Sequence, residues 1–415
     1  MLTFTTLLAA TLGAVLTLAA MPAVQESAPG ATAAGQSVAT PGLEPHRREL
    51  LDVAFEAASA LPLVPHHKNR ARAQLEVVET CLALDQSELA LQWAEQIRDW
   101  RRGEACADVA RWLAARGRTD EAQRCLDLAA GVLEGPSGGE DWQTWQCDRI
   151  RARIAATHMA LGNHEEAGRF AADLLDSELG PIAEVRAAGA SEQDADAFLR
   201  DVDQVFASGS FEQVRAALWT CAGLADRFHA DEARRAVIGS TIRAGWDKMP
   251  VTVRLDVLER LAGSALGHDD RAGALALLDE ARPLVTGADI LPEARVPLRA
   301  RLALLRWRAG DAGAARAEAD EALAQFEAER EQILGTERAD ALRPLVETCH
   351  ALGDREGALK VCRRAVELGV ANPNSRPRAE DLAATCCSLA RIGLQPDAAL
   401  RARLLEIRDT LGPPW

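Results

Sequence analysis

The sequence predicts an all-α solenoid of stacked helical hairpins, on a spaced recurrence, a helical stripe and a composition. Eight residues at hairpin-turn positions, Asp85, Gly117, Gly162, Phe228, Gly267, Gly310, Gly353 and Gly393, are each followed five positions later by alanine. Those alanines are Ala90, Ala122, Ala167, Ala233, Ala272, Ala315, Ala358 and Ala398. Self-similarity at tens of residues marks supersecondary units that bury a shared core by stacking. Hydrophobic residues make up 48% of the 415 and aromatics only 4%, which suits helices that meet through alanine and leucine.

The stripe completes each unit. Nine positions after the turn stand Ala94, Leu126, Ala171, Val237, Ala276, Ala319, Cys362 and Ala402. Twelve after it stand Ile97, Ala129, Leu174, Ser240, Asp279, Ala322, Ala365 and Leu405, with Asp279 the clear misfit. Offsets of five, nine and twelve share one helix face, because about 3.6 residues per turn brings steps of three and four back together. Upstream, the seventh residue before the turn is Val78, Ala110, Ala155, Cys221, Arg260, Ala303, Val346 or Cys386. A first helix therefore arrives on an apolar face, the turn reverses the chain, and a second leaves on an alanine-lined face.

The stretches Leu113-Ala-Ala-Arg-Gly-Arg-Thr-Asp-Glu-Ala122, Leu161-Gly-Asn-His-Glu-Glu-Ala167 and Leu352-Gly-Asp-Arg-Glu-Gly-Ala358 resemble the turn and second-helix start of the tetratricopeptide repeat (TPR) family. The resemblance covers residues 66–411 and implies a right-handed helical-hairpin solenoid. The chain departs from the family pattern in having no tyrosine. Its turn-to-turn steps, 32, 45, 66, 39, 43, 43 and 40 from the differences of the positions above, mostly exceed the family's period of about 34. The 66-residue step needs an inserted helix, and Ser191-Glu-Gln-Asp194 ahead of Phe198, Leu199, Val202, Val205 and Phe206 reads as a capped, amphipathic candidate. About eight hairpins over 45–412 predict about sixteen helices, and no fewer than about fourteen, with essentially no strand.

Residues 1–25 carry no charged side chain, and Leu7 to Ala20 is apolar throughout. This order suggests that 1–23 is a signal peptide or membrane anchor and that 24–44, rich in Ala, Gly, Ser, Thr and Pro, is a disordered linker. The expected location is exported (periplasmic or cell envelope) or membrane-anchored, ahead of cytoplasmic.

The formal charge of −15 disfavours a nucleic-acid role, since phosphate binding wants a basic surface. The nine cysteines fall in repeat slots otherwise held by small apolar residues, as Cys81 and Cys349 do four before the turn, and read as core. The eight histidines form no i, i+4 pair. No GK follows a glycine loop, no CxxC occurs, and no GxSxG elbow between a strand and a helix is visible. The sequence thus implies no metal, no cofactor and no enzyme.

In the TPR family the first helix of each repeat lines a concave groove. By that resemblance the tenth residues before the turn (Leu75, Ala107, Ala152, Leu218, Val257, Ala300, Arg343, Ala383) and the sixth (Glu79, Arg111, Ala156, Ala222, Leu261, Leu304, Glu347, Cys387) face it. The family's carboxylate clamp of Lys and Asn is missing from these positions. Thirteen before the turn stand Arg72, Glu104, Arg149, Arg215, Arg254, Pro297, Asp340 and Glu380, the four arginines gathering toward the first two-thirds and acids toward the end. A protein-interaction scaffold binding an unidentified, partly acidic protein or peptide segment at those four arginines is the expected function. A self-associating assembly platform at the cell envelope, and an enzyme or small-molecule sensor with an inter-helix site, are the rivals.

Overall fold

Helix-forming stretches punctuated by turn residues give nineteen α-helices in the computed structural model, which describes residues 42–134, 142–287 and 290–415. No strand occurs among the described residues. In chain order they are α1 (Pro45–Ala60), α2 (Leu63–Ala83), α3 (Ser87–Ala94), α4 (Arg101–Ala114), α5 (Thr119–Glu134), α6 (Thr144–Ala160) and α7 (His164–Ala171). There follow α8 (Gly180–Gly189), α9 (Glu192–Ser208), α10 (Phe211–Arg227), α11 (Glu232–Ala244), α12 (Val251–Gly267) and α13 (Arg271–Gly287). The last are α14 (Pro292–Arg308), α15 (Ala312–Glu329), α16 (Arg338–Ala351), α17 (Arg355–Val370), α18 (Ser375–Ile392) and α19 (Ala398–Asp409). The fold is an all-α solenoid of hairpins, as the recurrence predicts.

Each hairpin follows from its turn. Asp85, Gly117, Gly162, Gly310, Gly353 and Gly393 all hold positive φ, between 58° and 96°. Gly117 and Gly353 take this conformation without a Cβ clash, in open space. An aspartate then caps several outgoing helices: Asp311, Asp354 and Asp397 accept from the backbone N–H of Ala314, Gly357 and Leu400. Behind these caps Ala90, Ala122, Ala315 and Ala358 are fully buried and Ala167 is 4% exposed.

Three hairpins depart from the predicted register. Gly267 ends α12 inside the helix, and Asp269 takes the left-handed residue at φ 60°. The buried stripe is therefore Ala274, Leu278 and Ala281, while Ala272 and Ala276 are exposed. The shift of two also explains Asp279, which is exposed and accepts from Arg306 at 2.7 Å. At Phe228 the backbone has φ −105°, and the next helix buries Ile238 and Ile242 instead of Ala233 and Val237. After Gly393 a longer connection delays α19, which buries Leu400, Leu404 and Ile407 while Ala398 and Ala402 are exposed.

Ala122→Leu and Ala358→Leu are expected to destabilise the protein by about 1–3 kcal/mol each through overpacking. Ala272→Leu, on the solvent side, should leave the melting temperature unchanged. Equal melting of all three variants would show these alanines to be equally exposed.

The 66-residue step holds more than one inserted helix. Ser191 caps α9, its Oγ accepting from Asp194 N–H, and Val202 and Phe206 are buried as the pattern predicts. In addition α8 stands between α6 and α10. A Cβ on Gly223 of α10 would lie 2.8 Å from Ala187 of α8, so the glycine permits their close approach.

The even-numbered helices α2 to α18 form an inner row in which each packs on the next. The row then closes: α18 packs on α2, and α1 covers α18 as an outer helix would. Arg408 of α19 meets Glu56 of α1 at 2.9 Å, and Arg401 pairs with Glu49. One hydrophobic core runs through this seam, from Val296 to Ile407 and on from Leu50 to Ile154. The middle hairpins bury separate, smaller cores. The solenoid is thus a closed ring rather than an open superhelix.

The signal-or-anchor reading of 1–23 and nearly all of the linker 24–44 lie outside the described residues. No helix among the described residues is long and apolar enough to cross a membrane. All nine cysteines are free and seven are buried, the other two half-buried. Burial pushes the Cys106, Cys362 and Cys387 thiols up to about 12, so they sit in the core as unreactive thiols.

Candidate functional site

Ring closure replaces the expected concave groove with an inner face and two rims. Of the residues ten before each turn, Leu75, Ala107, Ala152, Leu218, Val257, Ala300 and Ala383 are buried between helices. Solvent reaches only Arg343 in that row. The neighbouring row lines the inner face: Glu76, Asp108, Arg153, Trp219 and Arg301, nine before their turns, are half-buried. One residue rotates a helix by about 100°, so closing the inner row moves the contact line onto the small residues and turns the next position inward.

The inner face is a ladder of ion pairs between inner helices. Arg153 of α6 meets Glu104 at 2.6 Å and Asp108 at 3.2 Å, both on α4. Arg301 of α14 meets Glu259 of α12 at 3.0 Å. Arg343 of α16 meets Asp381 of α18 at 3.2 Å. Glu184 of α8 lies 3.5 Å from Arg111 of α4 and 3.3 Å from Arg260 of α12, joining three helices that are not neighbours in the row. The guanidinium of Arg260 also sits 5.3 Å from the Trp219 ring centre.

Acid exceeds base beside α2. Burial, with Asp108 and Glu104 close by, pushes Glu79 up to about 8 against the opposing pull of Arg153. Burial likewise raises Glu76, which Arg343 and Arg391 partly offset. Burial raises Glu104 as well, opposed mainly by Arg153. No group of carboxylates, histidines and cysteines among the described residues has the geometry of a metal site.

The inner helices run parallel, so all their N-termini lie on one rim, formed by the loops that enter them. The four predicted arginines stand there, each in a local contact. Arg72 of α2 donates to Glu380 of α18 at 3.1 Å across the seam. Arg149 makes a bidentate pair with Glu178 at 2.8 and 3.1 Å, its guanidinium 5.1 Å from the Trp145 ring centre. Arg215 pairs with Glu212 at 2.7 Å, one turn earlier on its own helix. Arg254 donates to the Met249 carbonyl at 3.0 Å. Arg72 and Arg149 come together around Arg101, whose pKa is lowered by burial and then by both of them. Arg215 and Arg254 stand on α10 and α12, with no contact to this cluster.

Two features escaped the sequence reading. Arg295 and Arg338 donate to the carbonyls of Ile290 and Ile333, five residues upstream, as Arg254 does to Met249. That recurrent spacing of a buried apolar residue and an arginine is visible in the sequence. The second is a basic sector where the starts of α2 and α4 meet, with Lys68, Arg70, Arg98, Arg101 and Arg102. Its signal is the pair of basic runs His66-His-Lys-Asn-Arg-Ala-Arg72 and Arg98-Asp-Trp-Arg-Arg102.

No family model and no curated protein matches the chain. Among solved structures it is similar to a circular tandem repeat protein with novel repeat topology and enhanced subunit contact surfaces. The two are 16% identical, over 88% of this chain and 94% of that one, with a TM-score of 0.32. The ring described above rests on this chain's own helix contacts.

Proposed function

We propose that the ring is a protein-interaction scaffold, exported or membrane-tethered through its N-terminus, that holds a segment of a partner protein along its loop rim. One observation carries this reading. Of the seven large apolar side chains that are exposed among the described residues, five belong to this rim: Val64, Leu175, Phe211, Leu291 and Leu334. They occupy the entrances to α2, α8, α10, α14 and α16. Apolar tips set around one rim among polar residues are the usual anatomy of a binding surface. Most inner-face charges, Glu76 and Glu79 excepted, are engaged with one another, which favours a binding role over a catalytic one.

The rim also faces away from the proposed tether. The start of α1 lies at the opposite, turn rim, where the Arg47 guanidinium adjoins Gly393. A linker entering α1 there leaves the loop rim free. N-terminal sequencing of the native protein checks the tether: a new terminus near Val24 means export, and an intact Met1 in the membrane pellet means an anchor. An intact chain found only in cytosol refutes both.

The triple variant Phe211→Ser, Leu291→Ser, Leu334→Ser should melt as the wild type does and lose its specific partner on affinity capture from native cells. An unchanged capture profile refutes the rim as the binding surface. Loss of concentration-dependent self-association instead, read by sedimentation, would favour the assembly-platform reading.

A further inference from the structure

We propose that the sector of the loop rim at the starts of α2 and α4 receives an acidic segment of the partner protein that also carries an apolar side chain. This rests on the scaffold reading and adds the chemistry of the partner. Six cations meet in the sector: Lys68, Arg70, Arg72, Arg98, Arg101 and Arg102. They come from α2 and from the entrance and first turn of α4, which pack together, with Arg70 near Arg98 and Arg72 near Arg101.

Few of these charges are spent within the fold. Arg72 has Glu380 and Arg101 has Asp99, at 3.1 and 3.4 Å. Arg70 is turned to backbone carbonyls at Leu61 and Ser59, and its buried Nε has no hydrogen-bond partner. Lys68 and Arg98 are exposed and form no ion pair among the described residues. The cations also crowd one another, since Arg98 adds to the burial that lowers Arg70. An incoming carboxylate would relieve that repulsion and meet several donors at once.

The sector is not purely polar. Val64, 85% exposed, precedes the basic run on α2. Trp145, half-buried, stands beside Arg149 and edge-on to Trp100, with ring centres 5.3 Å apart. A mixed acidic and apolar segment matches this combination. A nucleic acid matches it less well: the chain carries −15 overall, and the sector is interrupted by Glu95 and Asp99. Exposed Asp173 and Asp176 lie further along the same rim. A long polyanion would meet those acids, whereas a short peptide need not.

The test uses the full chain and three fluorescent probes: a Glu- and Asp-rich peptide of about ten residues with one leucine, its lysine counterpart, and a single-stranded oligonucleotide. The acidic peptide should bind and the lysine peptide should not, with weakening between about 25 and 250 mM salt. Lys68→Glu with Arg98→Glu should weaken the acidic peptide by about tenfold or more, with unchanged melting, because neither side chain supports the fold. No peptide binding, or equal binding to the double variant, overturns the proposal. Equally tight oligonucleotide binding that falls in the same variant also overturns it, marking a general polyanion surface. Sedimentation showing that the double variant abolishes self-association overturns it in favour of a second copy of this chain. Native partner capture that survives the double variant but not the Phe211, Leu291 and Leu334 variant overturns this inference alone and leaves the scaffold standing.

Discussion

Leu51→Ala is expected to lower the unfolding free energy by about 2–5 kcal/mol and to speed amide exchange in α18 at the other end of the chain. Leu51 is fully buried in α1, and α1 lies against both α2 and α18. In an open solenoid each repeat touches only its neighbours, so damage to α1 would reach α2 and α3 first and α18 last. In the ring α18 is a direct neighbour of α1 and shares its core. Leu278→Ala in α13, within one of the separate middle cores, is the control and should leave α18 protected. Hydrogen exchange read by mass spectrometry decides the matter. Deprotection confined to α2 and α3 would mean that the seam does not hold in solution.

Glu79→Gln should raise stability at alkaline pH and flatten its decline. The folded value of Glu79 is pushed up to about 8 from an ordinary 4.5. A carboxyl raised in this way favours the folded state fully below its unfolded value, and that contribution is lost as pH rises through the folded one. The wild type should therefore lose on the order of 2 kcal/mol between about pH 5 and 9 from this group alone, a figure cut by roughly half because solvent in the ring still reaches the side chain. Glutamine keeps the shape and cannot ionise, so the variant should show little of that loss. Denaturant midpoints measured across this range provide the check, and identical alkaline limbs would place Glu79 in ordinary solvent. The acid limb has a different origin. Asp354 and Asp397, held below the usual range first by hydrogen bonds from the N–H of Gly357 and Leu400, lose their stabilising contribution as pH falls.

Much of the fold was legible because it depends on neighbours in sequence. A left-handed residue, an aspartate cap and an alanine stripe lie within a few positions of each other at Gly310 and Gly353, and these hairpins form as read. The reading failed where two residues competed for the same conformation. Gly267 is the better left-handed former, yet Asp269 adopts that geometry and Asp270 caps the next helix through Gly273 N–H. That choice moved the stripe by two and exposed Ala272. At Phe228 no left-handed residue is used, so spacing from the turn carried no information about Ile238.

The candidate sites were legible only in part. The arginines Arg72, Arg149, Arg215 and Arg254 were visible as a row, but a row on different inner helices spreads around a ring, so that only Arg72 and Arg149 come near each other, around Arg101. The basic runs at 66–72 and 98–102 were visible too, though their adjacency belongs to the stacking. A hint of closure was present in α18, where Leu382 to Ala390 is small or apolar on nearly every side and wholly buried. A helix apolar all round needs partners all round, and its own hairpin supplies too few. Local chemistry along the chain set the helices, most of their turns and the faces they bury, because caps, backbone preference and helical period act over a few residues. Closure of the ring, the inward turn of Glu76 and Arg153, and the meeting of two basic runs were decided by tertiary packing. Each depends on small rotations summed over nine inner helices, and no single hairpin carries that sum in its sequence.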